Sequence, residues 1–254
     1  MSAPQSLTTS MPNGVTNAGA GQTMAAAGIP DPSWAHVYHN DFDTYVAGDW
    51  TVTKVGTGTA ALAAVDGGQL LLTTTSGAAD AVYNQLTIAG FKAVAGKDIW
   101  YKFKGILSEV VNSVLYAGLI STTATPLTLG DGIYITKPTG AATLQLNCVI
   151  GGVATVVAFP TACAIVAAQD FELGIHVDYA GNVEAFFNPT TGAAWQQLGA
   201  TSSSLATVQA AGRVAMSPVP GLTQALLNPS FGLLNSTAVA RTLGVDYVTV
   251  VRNR

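Results

Sequence analysis

Phe171-Glu172-Leu173-Gly174-Ile175-His176-Val177-Asp178, then Tyr179-Ala180-Gly181-Asn182, then Val183-Glu184-Ala185-Phe186-Phe187: this stretch decides the fold class. On an extended chain successive side chains point to opposite faces. Phe171, Leu173, Ile175 and Val177 therefore share one face, and Glu172, Gly174, His176 and Asp178 share the other. The segment Tyr179–Asn182 turns the chain and Val183–Phe187 returns it. One apolar face and one polar face on two arms joined by a short turn describe a half-buried antiparallel hairpin.

The same period of two extends in both directions. Ile99–Ile106 alternates, with Ile99, Tyr101 and Phe103 on one face and Trp100, Lys102 and Lys104 on the other. Further strands are expected at His36–Phe42, Trp50–Val55, Ala60–Val65, Gln69–Thr75, Val114–Ser121 and Gly132–Lys137, with Asp66-Gly67-Gly68 as a hairpin turn. The last strand, Val245–Arg252, sets Val245, Tyr247, Thr249 and Val251 against Asp246, Val248, Val250 and Arg252. Helical periodicity is weak. Leu205–Ala211 and Thr223–Leu227 could each form a short helical turn, and Pro218, Pro220 and Pro229 limit anything longer. Many short strands with frequent turns predict an all-β antiparallel sandwich over residues 34–254, its two chain ends lying side by side. Residues 1–33 hold Pro4, Pro12, Pro30 and Pro32 among Gly, Ala, Ser and Thr, and are expected to form an extended or flexible N-terminal arm.

Only 9% of the 254 residues are charged, against roughly 25% in ordinary domains, with a net charge of −4. No basic stripe is present, so a nucleic-acid partner is not expected. The first thirty residues carry no charge, so the basic start of a signal peptide is not seen. Pro138–Gln169 also carries none and is long enough to cross a bilayer. However, Leu144, Leu146, Cys148 and Ile150 alternate with Thr143, Gln145, Asn147 and Val149, and Gly151-Gly152 follows. That pattern is a hairpin, so no membrane span is expected. Cys148 is expected to be a small buried hydrophobe, with a bridge to Cys163 left open.

Few residues offer chemistry. His36, His39, Asp41 and Asp43 form the densest polar cluster. His36 and His39 fall on opposite faces of a strand, whereas His39, Asp41 and Asp43 share one and could hold a hard cation with a loop carbonyl. The alternative is a solvent-facing polar side. Glu172 and Glu184 lie on opposite arms of the hairpin and could approach as a hydrolytic pair, or be exposed strand carboxylates. Glu109 is the third and last glutamate. Among Trp34, Trp50, Trp100 and Trp195, Trp100 is the best candidate for a sugar platform, because it lies with the lysines rather than with Tyr101 and Phe103. No Gly-x-Ser-x-Gly elbow or phosphate-cradling Gly-rich loop occurs. No catalytic, cofactor-binding or metal residue is assigned and no cofactor is expected.

The run Asp41-Phe42-Asp43, then Asp49-Trp50-Thr51-Val52, then Asp66-Gly67-Gly68-Gln69-Leu70-Leu71-Leu72 resembles the opening of a concanavalin A-like jelly roll. Phe171–Phe187 resembles a later hairpin of that fold, and Asp246-Tyr247-Val248 its closing strand. The laminarinase-type Glu-x-Asp-x-x-Glu motif of the enzymatic members is absent, so their hydrolase activity does not carry over. In its charge-poor Ala/Thr/Gly composition and its N-terminal arm the chain is also similar to tailed-bacteriophage capsid decoration (cement) proteins. That resemblance implies a non-enzymatic virion protein, made in the host cytoplasm, that binds and stabilises the capsid lattice. Its partners would be the major capsid protein and further copies of itself. The alternative expectation is a carbohydrate-binding or receptor-binding β-sandwich domain of a phage fibre.

Overall fold

The computed structural model describes residues 35–254 apart from 89, 95, 126, 127, 129, 162, 179, 180, 190–195, 198–212 and 216–225. The expected arm, Trp34, Trp195, the turn at Leu205–Ala211 and most of Thr223–Leu227 lie outside the described residues.

Alternating apolar residues need a partner layer, and two antiparallel sheets supply it for each other. Sheet A contains β1 (Ala35–Asn40), β3 (Thr59–Leu62), β4 (Leu70–Thr73), β6 (Ile99–Leu107), β11 (Asp170–Val177) and β12 (Asn182–Asn188). It is completed by β13 (Gln196–Gln197), β14 (Arg213–Ala215) and β16 (Thr242–Asn253). Sheet B contains β2 (Trp50–Val55), β5 (Ala81–Leu86), β7 (Ser113–Ile120), β8 (Gly132–Lys137), β9 (Gln145–Ile150), β10 (Val153–Ala158) and β15 (Asn228–Asn235). Sheet A runs β13-β12-β11-β6-β16-β4-β3, with β14 also against β12 and β1 against β16; sheet B runs β10-β9-β8-β7-β15-β5-β2. This is the expected antiparallel sandwich. Its first and last strands pair, from Ala35 opposite Asn253 to Asn40 opposite Val248.

The core lies between the sheets. Phe171, Leu173 and Ile175 of β11 and Ile99, Tyr101 and Phe103 of β6 all point inward and are at most 1% exposed. From sheet B, Phe231 meets Trp50, Phe42 and Phe103 with ring centroids 5.2, 5.9 and 5.9 Å away. Burying each such ring stabilises the fold by about 1.5–3 kcal/mol. Trp50 is therefore a core residue and not a sugar platform.

Three local readings change. The first strand ends at Asn40 rather than Phe42, because Phe42 adopts a left-handed backbone (φ 57°) that turns its ring into the core. Gly68 makes this possible: a Cβ there would lie 2.6 Å from the Phe42 carbonyl carbon and the Asp43 nitrogen. Strands β5 and β15 are absent from the sequence reading, where Pro229 was expected only to break structure. Pro229 sits in β15 at a position paired with β7, one residue before the β5 ladder begins at Ser230, so its missing N–H interrupts no ladder to β5. The alternation of the last strand also breaks. A register shift at Asp246 leaves Val245 inward and then turns Val248 and Val250 inward, so Tyr247 and Thr249 face out.

Within the uncharged stretch Pro138–Gln169 lie β9 and β10, joined at Gly151-Gly152 with φ of 57° and 76°. Two successive positive φ values match the twist of a two-residue hairpin, and glycine takes them without strain. No helix among the described residues is long and apolar enough to cross a membrane. Cys148 and Cys163 are buried and no disulfide joins them, and burial pushes the Cys148 thiol up to about 12.

Candidate binding face on sheet A

The outward residues of β6, β11, β12 and β16 form rows across sheet A. One row runs Val251, Trp100, His176, Glu184, and a second runs Thr249, Lys102, Gly174, Phe186. A third runs Tyr247, Lys104, Glu172, Asn188. Gly174 contributes no side chain between Lys102 and Phe186, and both Gly174 and Phe186 are buried.

In the first row the Trp100 and His176 rings stack with centroids 3.5 Å apart and planes 2° from parallel. His176 Nδ1 lies 3.1 Å from Glu184 Oε2, and its Nε2 lies 3.7 Å from Asp98 Oδ1. Asp98 in turn accepts from the Asn253 amide at 3.3 Å. Trp100 is thus held as half of a rigid aromatic pair rather than as an isolated platform.

In the third row Glu172 is the hub. Its Oε1 accepts from the Tyr247 hydroxyl at 2.5 Å and faces the Lys102 ammonium at 3.1 Å, and its Oε2 accepts from the Asn188 amide at 2.9 Å. Burial alone would raise this carboxyl, but the hydrogen bond from Tyr247, the Lys102 charge and Asn188 together hold it below its usual range. Burial and then the bond to Glu172 push the Tyr247 phenol well up. Lys102 also lies 5.0 Å from the centre of the Tyr247 ring. Lys104 pairs with Asp246 and lies 3.6 Å from Asp170; these carboxylates outweigh the effect of burial and raise its ammonium. The face is half-buried: the Lys102 and Asp98 side chains are 30% and 31% exposed, whereas Glu172, Asn188 and Phe186 are buried.

The structure separates the other candidates. Glu172 stands opposite Asn188 and Glu184 opposite His176, so the two glutamates are offset by four residues along β12. At about 3.3 Å per residue the offset is roughly 13 Å, beyond the separation of about 5–9.5 Å that paired carboxyl hydrolases use. Glu109 is elsewhere, accepting from the Val111 and Asn112 amides with Arg241 Nε 3.2 Å away. The expected face shared by His39, Asp41 and Asp43 does not form, because the strand stops at Asn40. His39 instead bonds Thr249 Oγ1 at 2.7 Å, and His36 stacks on Phe91. Among the described residues no three His, Cys, Asp or Glu side chains gather as a metal site.

Trp100 and Glu172 were visible in the sequence as outward residues. His176 was visible on the same face, but its stacking on Trp100 depends on the pairing of β11 with β6. Tyr247 was not legible, because period two gives no sign of the shift at Asp246 that turns it outward.

No family model matches the chain, and no curated protein matches it. Solved structures do. The seed lectin of Lotus tetragonolobus aligns with a TM-score of 0.57 at 8% identity, covering 86% of this chain and 99% of that one. Peanut lectin aligns at 0.55 and 7% identity, covering 86% and 97%. An endo-1,3-β-glucanase from Streptomyces sioyaensis aligns at 0.55 and 12% identity, covering 88% and 98%. At these identities the likeness establishes architecture: the chain has the concanavalin A-like jelly-roll sandwich found in lectins and glucanases.

Proposed function

We propose that this chain is a carbohydrate-binding β-sandwich module that takes its saccharide on the outer face of sheet A and does not cleave it. The observation that carries this reading is the row Trp100-His176 beside the Glu172 hub. A rigid aromatic pair suits the C–H faces of a sugar, and fixed carboxylate, amide, phenol and ammonium groups suit its hydroxyls. Most of these groups already hold one another, so binding would cost little side-chain ordering. The offset between Glu172 and Glu184 supports binding without hydrolysis. The presence of lectins among the similar structures supports the same reading.

A glycan array followed by calorimetry tests it. At least one neutral or acidic glycan should bind, and Trp100→Ala and Glu172→Gln should each weaken it tenfold or more with unfolding midpoints retained. An array without a hit, or unchanged affinity in both variants, overturns it. The reading as a capsid-lattice protein stands second, supported by the 9% charge and by the uncharged β9–β10 hairpin. Co-sedimentation with phage heads, together with a blank array, would reverse the order.

A further inference from the structure

The uncharged stretch that looked like a membrane span ends in an edge that the glycan face does not use. β10 is the outermost strand of sheet B, paired on one side with β9 and with no strand on the other among the described residues. Of its six residues only Val157 is buried; Val153 is 72% exposed and Val156 46%, and Ala154, Thr155 and Ala158 are exposed as well. The inward row of β10 comprises Val153, Thr155 and Val157, so the exposure of the first two shows that the strand overhangs the sandwich. Proteins normally guard such edges with charges, Pro, bulges or very short strands. β2, at the other edge of this sheet, carries Lys54, and β3, at one edge of sheet A, is four residues long. β10 has no charge, no Pro and six β-prone or small residues.

We propose that β10 pairs antiparallel with β10 of a second copy of this chain, continuing sheet B across a two-fold axis. Self-pairing is favoured because an uncharged strand opposes no like charges when it meets itself, and because one register matches well. Centred on Thr155, that register sets Thr155 opposite Thr155, Val153 opposite Val157 and Ala154 opposite Val156. Each pair shares a face, and Thr–Thr and β-branched pairs are among the favourable cross-strand contacts. Two six-residue strands bury less than the roughly 1,200 Å² of a stable complex, so the dimer is expected to be weak and concentration-dependent.

Sedimentation of the full chain over a wide concentration range should show wild type moving from monomer toward dimer. Thr155→Lys sets two ammonium groups face to face and should remain monomeric with its unfolding midpoint unchanged. Opposite residues lie about 4.5–5.5 Å apart, within the Cα range of a disulfide, so Thr155→Cys should link two chains under mild oxidation. The exposed control Val65→Cys should link far more slowly. A wild type that stays monomeric, a Thr155→Lys variant that dimerises like wild type, or equal linking rates for the two cysteine variants each overturn the proposal.

Discussion

Lys137 gives the sharpest energetic test. It is the last residue of β8, its side chain points into the sandwich, and none of its surface is exposed. Its ammonium donates to the carbonyl oxygens of Val110 and Ala141, with Glu109 as the nearby carboxylate. Burial lowers the amine from 10.5 to about 8, and Glu109 offsets only part of that. In the unfolded chain the amine stays protonated up to about pH 10.5, so between pH 8 and 10.5 the unfolded state binds more protons. Stability from this group therefore rises with pH across that window, while below pH 8 the full penalty of about 3 kcal/mol persists. From pH 7.5 to 9.5 the gain should be about 2 kcal/mol. The perturbation is Lys137→Met, which keeps the length of the side chain and removes the charge. Urea unfolding at both pH values, followed by the fluorescence of buried Trp50, gives the stability of each protein. Wild type should gain about 2 kcal/mol relative to the variant, whatever the constant cost of leaving the two carbonyls without their donor. The raised phenols of Tyr101 and Tyr116 act above pH 10 in both proteins and cancel. Parallel pH dependence in the two proteins would refute the assignment of Lys137 as a buried, desolvated ammonium.

Two further outcomes follow from packing. Phe231→Ala removes the ring that joins Phe42, Trp50 and Phe103 and should cost about 3–5 kcal/mol in chemical denaturation. A loss under 1 kcal/mol would mean that this cluster is not the centre of the core. Gly118→Ala sets a Cβ 2.4 Å from the Ile133 carbonyl oxygen and 2.5 Å from the Tyr134 Cα, between β7 and β8, where neither backbone can move away cheaply. It should lower the unfolding midpoint sharply, whereas Gly67→Ala, with no atom nearby, should lower it only through its left-handed backbone.

The period-two pattern carried most of the architecture. It identified the β11–β12 hairpin, the faces of β6 and the Gly-Gly turn of β9 and β10, because each depends on residues adjacent along the chain. It missed β15, whose Asn228-Pro229-Ser230-Phe231-Gly232 lacks alternation and gains its place from β7 and β5 on either side. Strand pairing also decided the fate of the polar cluster at the start. His39, Asp41 and Asp43 share a face only if the strand continues, and the left-handed turn at Phe42 stops it.

By itself, then, the sequence determined that this is a two-sheet β protein, that its core face holds Phe171, Leu173, Ile175, Tyr101 and Phe103, and that Trp100, Lys102, Glu172 and His176 point away from it. Those properties follow from local alternation and the cost of exposing apolar surface. Only the tertiary structure decided that His176 stacks on Trp100, that Glu172 and Glu184 are too far apart to act together, and that Tyr247 joins Glu172. Each of these depends on register between strands distant in sequence. A single extra residue at Asp246 turns the following side chains to the opposite face, and a pattern of period two cannot reveal it.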